Sequence, residues 1–195
     1  MKVSREQFAE NRERILDVAG TLFREKGFDG IGIADIMKAA GMTHGGFYRH
    51  FESKDDLIDQ ASQKALARGA GYWERTIGDD GNPDTALMRL LQMYLSEAHR
   101  DASGKGCSLA ALGADAARQN GSVRRTFAHG MELLVDKLTT LLPGRTRAVR
   151  RRKALASFSQ MMGALILSRA VDDTALSKEI LSAAMFELST AHGIA

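Results

Sequence analysis

The sequence predicts an all-α protein of nine helices in two parts. Three observations carry this. Apolar residues recur at helical spacing over almost the whole chain. Its 195 residues include only 2 Pro and 6% aromatics, with Ala and Leu recurring throughout, a usage that favours helix over sheet. Gly, Asn, Asp, Ser and Thr stand where helices would start and stop.

The first helix spans Gln7 to Lys26, with Phe8, Ile15, Ala19, Leu22 and Phe23 on one side. Ser4 provides a capping start, and Gly27 ends the helix so that Phe28 folds back on the last turn. A second helix covers Ile33 to Ala40, with Ile33, Ile36 and Met37 on its apolar face and Gly41 as its stop. Thr43 caps a third, His44 to Phe51. Ser53 caps a fourth from Lys54 to the mid-70s, with Asp55 and Asp56 in the first turn, where the helix dipole favours them.

Residues 78–84, GDDGNPD, form the clearest linker, and Asp84 caps a fifth helix over 85–100. A loop at 101–106 precedes a sixth helix, 107–119, closed by Asn120 and Gly121. Ser122 opens a seventh, ending near Leu142-Pro143-Gly144. Arg147 to Ala170 is the eighth and Thr174 to about Ala191 the ninth.

Composition narrows the function. Charged residues are 26% of the chain and hydrophobic ones 44%, ordinary for a globular protein. No apolar run reaches the roughly 18 residues of a membrane span. The N-terminal stretch lacks a signal peptide's apolar core, and 1 Cys makes no internal disulfide. These features predict a cytoplasmic protein with no membrane partner. The net charge is +3, mild support for a polyanionic partner. Residues 1–54 carry nine Lys or Arg against eight Asp or Glu. DNA binding would therefore rest on where Lys2, Arg5, Arg49 and Lys54 sit.

Residues 32–56 read as two short helices, a tight turn and the start of a long helix, the pattern that presents one helix to the major groove. Gly45 and Gly46 let the backbone approach a partner closely, at a cost in helix stability. Phe47 and Phe51, four apart, face the core and turn Tyr48 outward, with His44, Arg49 and His50 as further outward candidates. Backbone N–H groups at 43 and 53, with Lys54, are natural phosphate ligands. By pattern alone, the same helix–Gly–helix arrangement also occurs in helical proteins that bind no DNA.

Residues 12–57, above all GMTHGGFYRHFESKDDL at 41–57, closely resemble the N-terminal domain of the TetR family of bacterial transcriptional repressors. The resemblance implies a helix-turn-helix domain at 1–54 and a ligand-binding and dimerisation domain at 55–195. It implies that Thr43, His44, Gly45 and Gly46 lie nearest the bases, and that Tyr48, His50 and Lys54 touch phosphates. The family usually has Thr followed by Ser or Thr before the second helix, where this chain has Ile31 and Gly32. Gly32 can still donate its N–H to a phosphate. The resemblance also implies a homodimer through the last two helices on a palindromic operator in double-stranded DNA, released by a small-molecule effector.

An effector cavity among helices four to eight would draw on Trp73, Met88, Leu91, Tyr94, Leu95 and Leu112, with Phe127, Met131, Phe158 and Met162. Met and aromatic side chains make adaptable apolar walls, which suggests an apolar or aromatic effector. Further candidates are Met93, Leu109, Leu134, Met161 and Leu165. Cys107, at a helix start after Lys105, has features that raise thiol reactivity. It resembles a Gly–Cys motif of TetR-like proteins that include responders to electrophiles or oxidants. Two readings of it stand, a small structural residue and a covalent switch. His99, His129 and His192 make no recognisable metal set with it, and no cofactor or catalytic motif stands out. No enzymatic activity is expected. The remaining alternative is a helical ligand-binding module that does not bind DNA. The run RTRAVRRRK at 145–153 reads as a solvated helix start or a rim of the dimer contact.

Overall fold

The structure is a computed structural model that describes residues 4–78 and 81–194. Lys2 and, within the predicted linker, residues 79 and 80 lie outside the described residues. The α-helices are α1 (Arg5–Lys26), α2 (Ile33–Ala39), α3 (Lys54–Ile77), α4 (Pro83–Tyr94), α5 (Glu97–Asp101), α6 (Ser108–Ala117), α7 (Gly121–Leu141), α8 (Arg147–Ala170) and α9 (Thr174–His192). Two 3₁₀ helices join them, His44–Arg49 and Ser103–Lys105.

Most boundaries follow the side chains that cap them. Ser4 accepts from the Gln7 amide, Ser53 from Asp56, and Asp173 from Ala175 and Leu176. Gly27 and Gly41 end α1 and α2 with φ of +77° and +74°, a conformation glycine adopts without steric cost. Four expectations need correction. The predicted third helix is a 3₁₀ helix, and Thr43 flanks it without a side-chain capping bond. Asn82, not Asp84, caps α4, with Pro83 in its first turn. The predicted fifth helix breaks at Leu95, where Ser96 caps the short α5. Asn120 caps α7 and so opens a helix rather than closing one.

The N-terminal core packs Ile15, Ala19 and Phe23 of α1 against Ile36, Met37, Phe47, Phe51, Leu57 and Ile58. The Phe47 and Phe51 rings lie 5.6 Å apart, and Arg12 sits 4.9 Å over Phe51. From there α3 runs into the larger bundle, where it packs on α4 and α7. Trp73, Tyr94 and Phe158 meet edge to face in the middle of that bundle, with centroids 5.5–6.2 Å apart. Gly130 allows α7 to approach α3, since a Cβ there would lie 2.8 Å from Leu66.

α8 and α9 pack on each other at the far side. The buried face of α9 is Ser177, Leu181, Ala184, Leu188 and Ser189, while Leu176 is exposed. In the basic run, Arg147 and Arg151 pair with Asp136 and Glu132 of α7.

Candidate nucleic-acid interface and effector cavity

The 44–49 helix is held from behind and open in front. Phe47 is fully buried and plugs it into the core, while Thr43, His44, Gly45, Tyr48 and Arg49 are exposed. A Cβ at Gly45 would meet nothing within 4 Å, so no packing inside this chain requires glycine there. Gly46 stands over Met37 and Thr43, with room for ordinary contact. Tyr48 is 66% exposed and rests edge-on against Phe47, which leaves its hydroxyl outward.

His50 differs from its predicted outward position. It is half-buried, stacks on Phe8 at 4.2 Å, and its Nδ1 is buried without a partner. Burial, then Arg12 and Arg49, lower its pKa. Lys54 is half-buried in the first turn of α3, beside the Ser53 cap. Gly32 is exposed at the start of α2 with no side-chain cap, and Ile31 beside it is buried in the core. The unusual pair therefore trades a surface hydroxyl for apolar packing.

A cavity of about 220 Å³ opens where the two parts of the chain meet. Of the predicted ligand residues, Trp73, Tyr94 and Cys107 line it, as do Met93 and Leu134. Leu91, Leu95, Leu112, Phe127 and Phe158 are buried core away from it. Met88 and Met162 are half-buried elsewhere, and Met131 is exposed. The correction has a plain cause: the other wall is built from α1 and α3, by Leu16, Asp17, Gly20, Arg24, Lys64 and Arg68.

This wall is largely ionic. Asp17 accepts from Lys64 at 2.8 Å and Arg68 at 2.7 Å. Burial pushes the Asp17 carboxyl up, but Lys64 and Arg68 outweigh it and hold it below its ordinary value. Arg24 donates through Nε and Nη2 to the Gly104 carbonyl, at 2.8 and 2.5 Å. This ties the end of α1 to the segment before Cys107, and the Phe28 amide on Asp115 at 3.2 Å ties it to α6.

Cys107 caps α6 without a side-chain bond and is half-buried. Its backbone N–H donates to His99 Nε2 at 3.1 Å, and His99 Nδ1 meets the Tyr94 carbonyl at 2.7 Å. Both contacts are satisfied by a neutral ring carrying its proton on Nδ1. Burial lowers the His99 pKa, in keeping with that form, although the Tyr94 carbonyl opposes the shift. The Tyr94 hydroxyl is buried and unpartnered. Burial first, and Cys107 second, push its pKa well above the usual phenol value. Sequence reasoning missed His99 as the staple between α5 and α6. Among the described residues no group of three or more His, Cys, Asp or Glu could hold a metal ion, and no helix is long and apolar enough to cross a membrane.

Residues 15–61 match the profile of bacterial regulatory proteins, tetR family. A Staphylococcus aureus (strain bovine RF122 / ET3-1) HTH-type transcriptional regulator, SAB2452, is 35% identical over 91 residues, 47% of this chain and 49% of that protein. The chain spans half or less of the length of the curated relatives it matches first. A TetR transcriptional regulator from Chloroflexus aurantiacus is 26% identical and superposes with a TM-score of 0.79 over 93% of each chain. The reduced form of Escherichia coli NemR superposes with a TM-score of 0.79 over 93% of this chain and 96% of that one, at 19% identity, a likeness of fold. The segment that holds the 44–49 helix thus matches the tetR family of bacterial regulatory proteins, and the helical body shares the fold of TetR-family structures.

Proposed function

We propose that this protein is a DNA-binding transcriptional regulator, a homodimeric repressor whose two 44–49 helices read the halves of a palindromic operator. The observation that carries this is the exposed, side-chain-free surface at Gly45 on a helix anchored by a fully buried Phe47. Thr43, His44, Gly45 and Gly46 approach the bases, with Arg49 beside them. Gly32, Tyr48, His50 and Lys54 hold phosphates. Residues 1–54 form the reading domain and 55–195 the control and dimer domain. The exposed Ile166, Leu167, Leu176 and Phe186 on α8 and α9 supply an apolar face for a second copy.

Control enters at the cavity, and its chemistry favours a thiol trigger over a purely apolar effector. Cys107 is the half-buried nucleophile of the cavity wall, and the guanidiniums of Arg24, on the same wall, and of Arg169, outside it, interact with it. A hydroperoxide would pass one oxygen to the thiol, giving a sulfenic acid and leaving as an alcohol or water. The new oxygen would crowd the start of α6, and the Arg24–Gly104 tie would carry the strain to α1 and the reading helix. A structural relative described in a reduced form, NemR, agrees with redox control of this fold.

The test is fluorescence anisotropy with the intergenic DNA flanking its own gene, against a random duplex, at two salt concentrations. A preference for one near-palindromic site that survives the higher salt is expected. Equal, salt-sensitive binding to both duplexes would overturn the reading. Peroxide should release the parent protein from that site and leave the Cys107→Ser variant bound. Release of both would return the trigger to a non-covalent effector.

A further inference from the structure

We propose that the cavity at the junction of α1, α3 and α6 binds a small amphipathic organic anion, one ring with a carboxylate, whose charged end is received by the Tyr94 hydroxyl on a wall that also carries Arg24. This deepens the reading of the cavity as the control site and rests on that reading for its regulatory meaning alone.

Size sets the first limit. About 220 Å³ equals the share of about seven waters in the liquid, at roughly 30 Å³ each, which suits a single substituted ring. The apolar part of the wall, Leu66, Trp73, Met93 and Leu134, would hold that ring. Charge sets the second limit. Among the described residues the only acid on the wall is Asp17, and it is already shared by Lys64 and Arg68. Arg24, Arg75 and Lys105 remain, the first with its guanidinium on a backbone carbonyl and the second over the Tyr72 ring at 5.9 Å. A hole bordered by an excess of cations concentrates anions.

The buried phenol sets the third limit. Tyr94 is fully buried, and its hydroxyl makes no well-formed hydrogen bond, with only the weakly bonding Cys107 thiol beside it. A buried donor left unpaired costs free energy that an incoming acceptor restores. The raised pKa keeps the phenol a donor at neutral pH. The start of α6 adds to this, because the Cys107 side chain accepts no bond from the first-turn N–H groups. A neutral ligand would satisfy the hydroxyl but gain nothing from the cations, and an amine would be repelled by them.

Trp73 is the only Trp of the chain and lies in the wall, so its emission reports occupancy. The experiment titrates the full chain, reduced and without DNA, with 3-phenylpropionate, its amide and 3-phenylpropylamine. Neither thiol oxidation nor operator binding enters this measurement, so its failure is distinct from theirs. A saturable change is expected with the carboxylate, at least tenfold tighter than with the amide and absent with the amine. Tyr94→Phe should weaken the carboxylate about tenfold and the amide by less, and leave the urea midpoint unchanged or higher, since it deletes an unpaired hydroxyl. Equal binding of acid, amide and amine, no saturable change, or undiminished carboxylate binding by Tyr94→Phe would overturn the proposal.

Discussion

Gly45 is where the chain gives up local stability with no internal packing reason. Its φ is not positive and a Cβ would stand in open space. Gly45→Ala should therefore raise stability by about 0.5–1 kcal/mol through the unfolded chain, read from a urea midpoint, while weakening operator binding. Unchanged binding would mean that this surface does not approach DNA closely. His99 makes a second prediction. Its folded pKa is depressed, so the neutral ring stabilises the fold above the ordinary histidine pKa near 6.5. As pH falls from about 6.5 the unfolded state takes up more protons, and stability declines. His50 and His192 are depressed too, so the diagnostic is the difference. His99→Gln should show a shallower loss of melting temperature between pH 7 and 5 than the parent.

At the scale of elements, caps explain what was readable. Ser4 and Ser53 were visible in the sequence because each precedes a clean apolar periodicity, and their bonds are present. Asp173→Ala should cost about 1 kcal/mol, seen as a lowered melting temperature, because α9 loses the acceptor of its Ala175 and Leu176 amides. The break after Tyr94 was not readable. Apolar residues keep their period through Leu95, and the interruption is fixed by Ser96 and by the His99 staple, both tertiary in effect. The 44–49 helix is 3₁₀ where α was expected, in a segment with two adjacent glycines. The cavity was half legible. Its apolar wall follows from Trp73, Tyr94 and Cys107, whereas Lys64 and Arg68 look like a solvated i, i+4 face until α1 supplies Asp17.

For the whole molecule, α8 and α9 leave apolar side chains outward, with Leu167 56% and Phe186 63% exposed. Phe186→Glu should turn the dimer into a folded monomer in sedimentation, with helical content unchanged and operator affinity lost. A dimer that persists would place the contact elsewhere. A short physical route runs from Cys107 along the chain to Gly104 and through Arg24 to α1. The proposed control of residues 1–54 by the cavity would run along it.

The central claim is that paired 44–49 helices read DNA as a symmetric unit, and hydroxyl-radical footprinting on the bound duplex tests it most directly. Two equivalent protected patches, one helical turn or a multiple of it apart, related by the symmetry of a near-palindrome, are the predicted result. A single patch, or uniform protection with no preferred site, would contradict it.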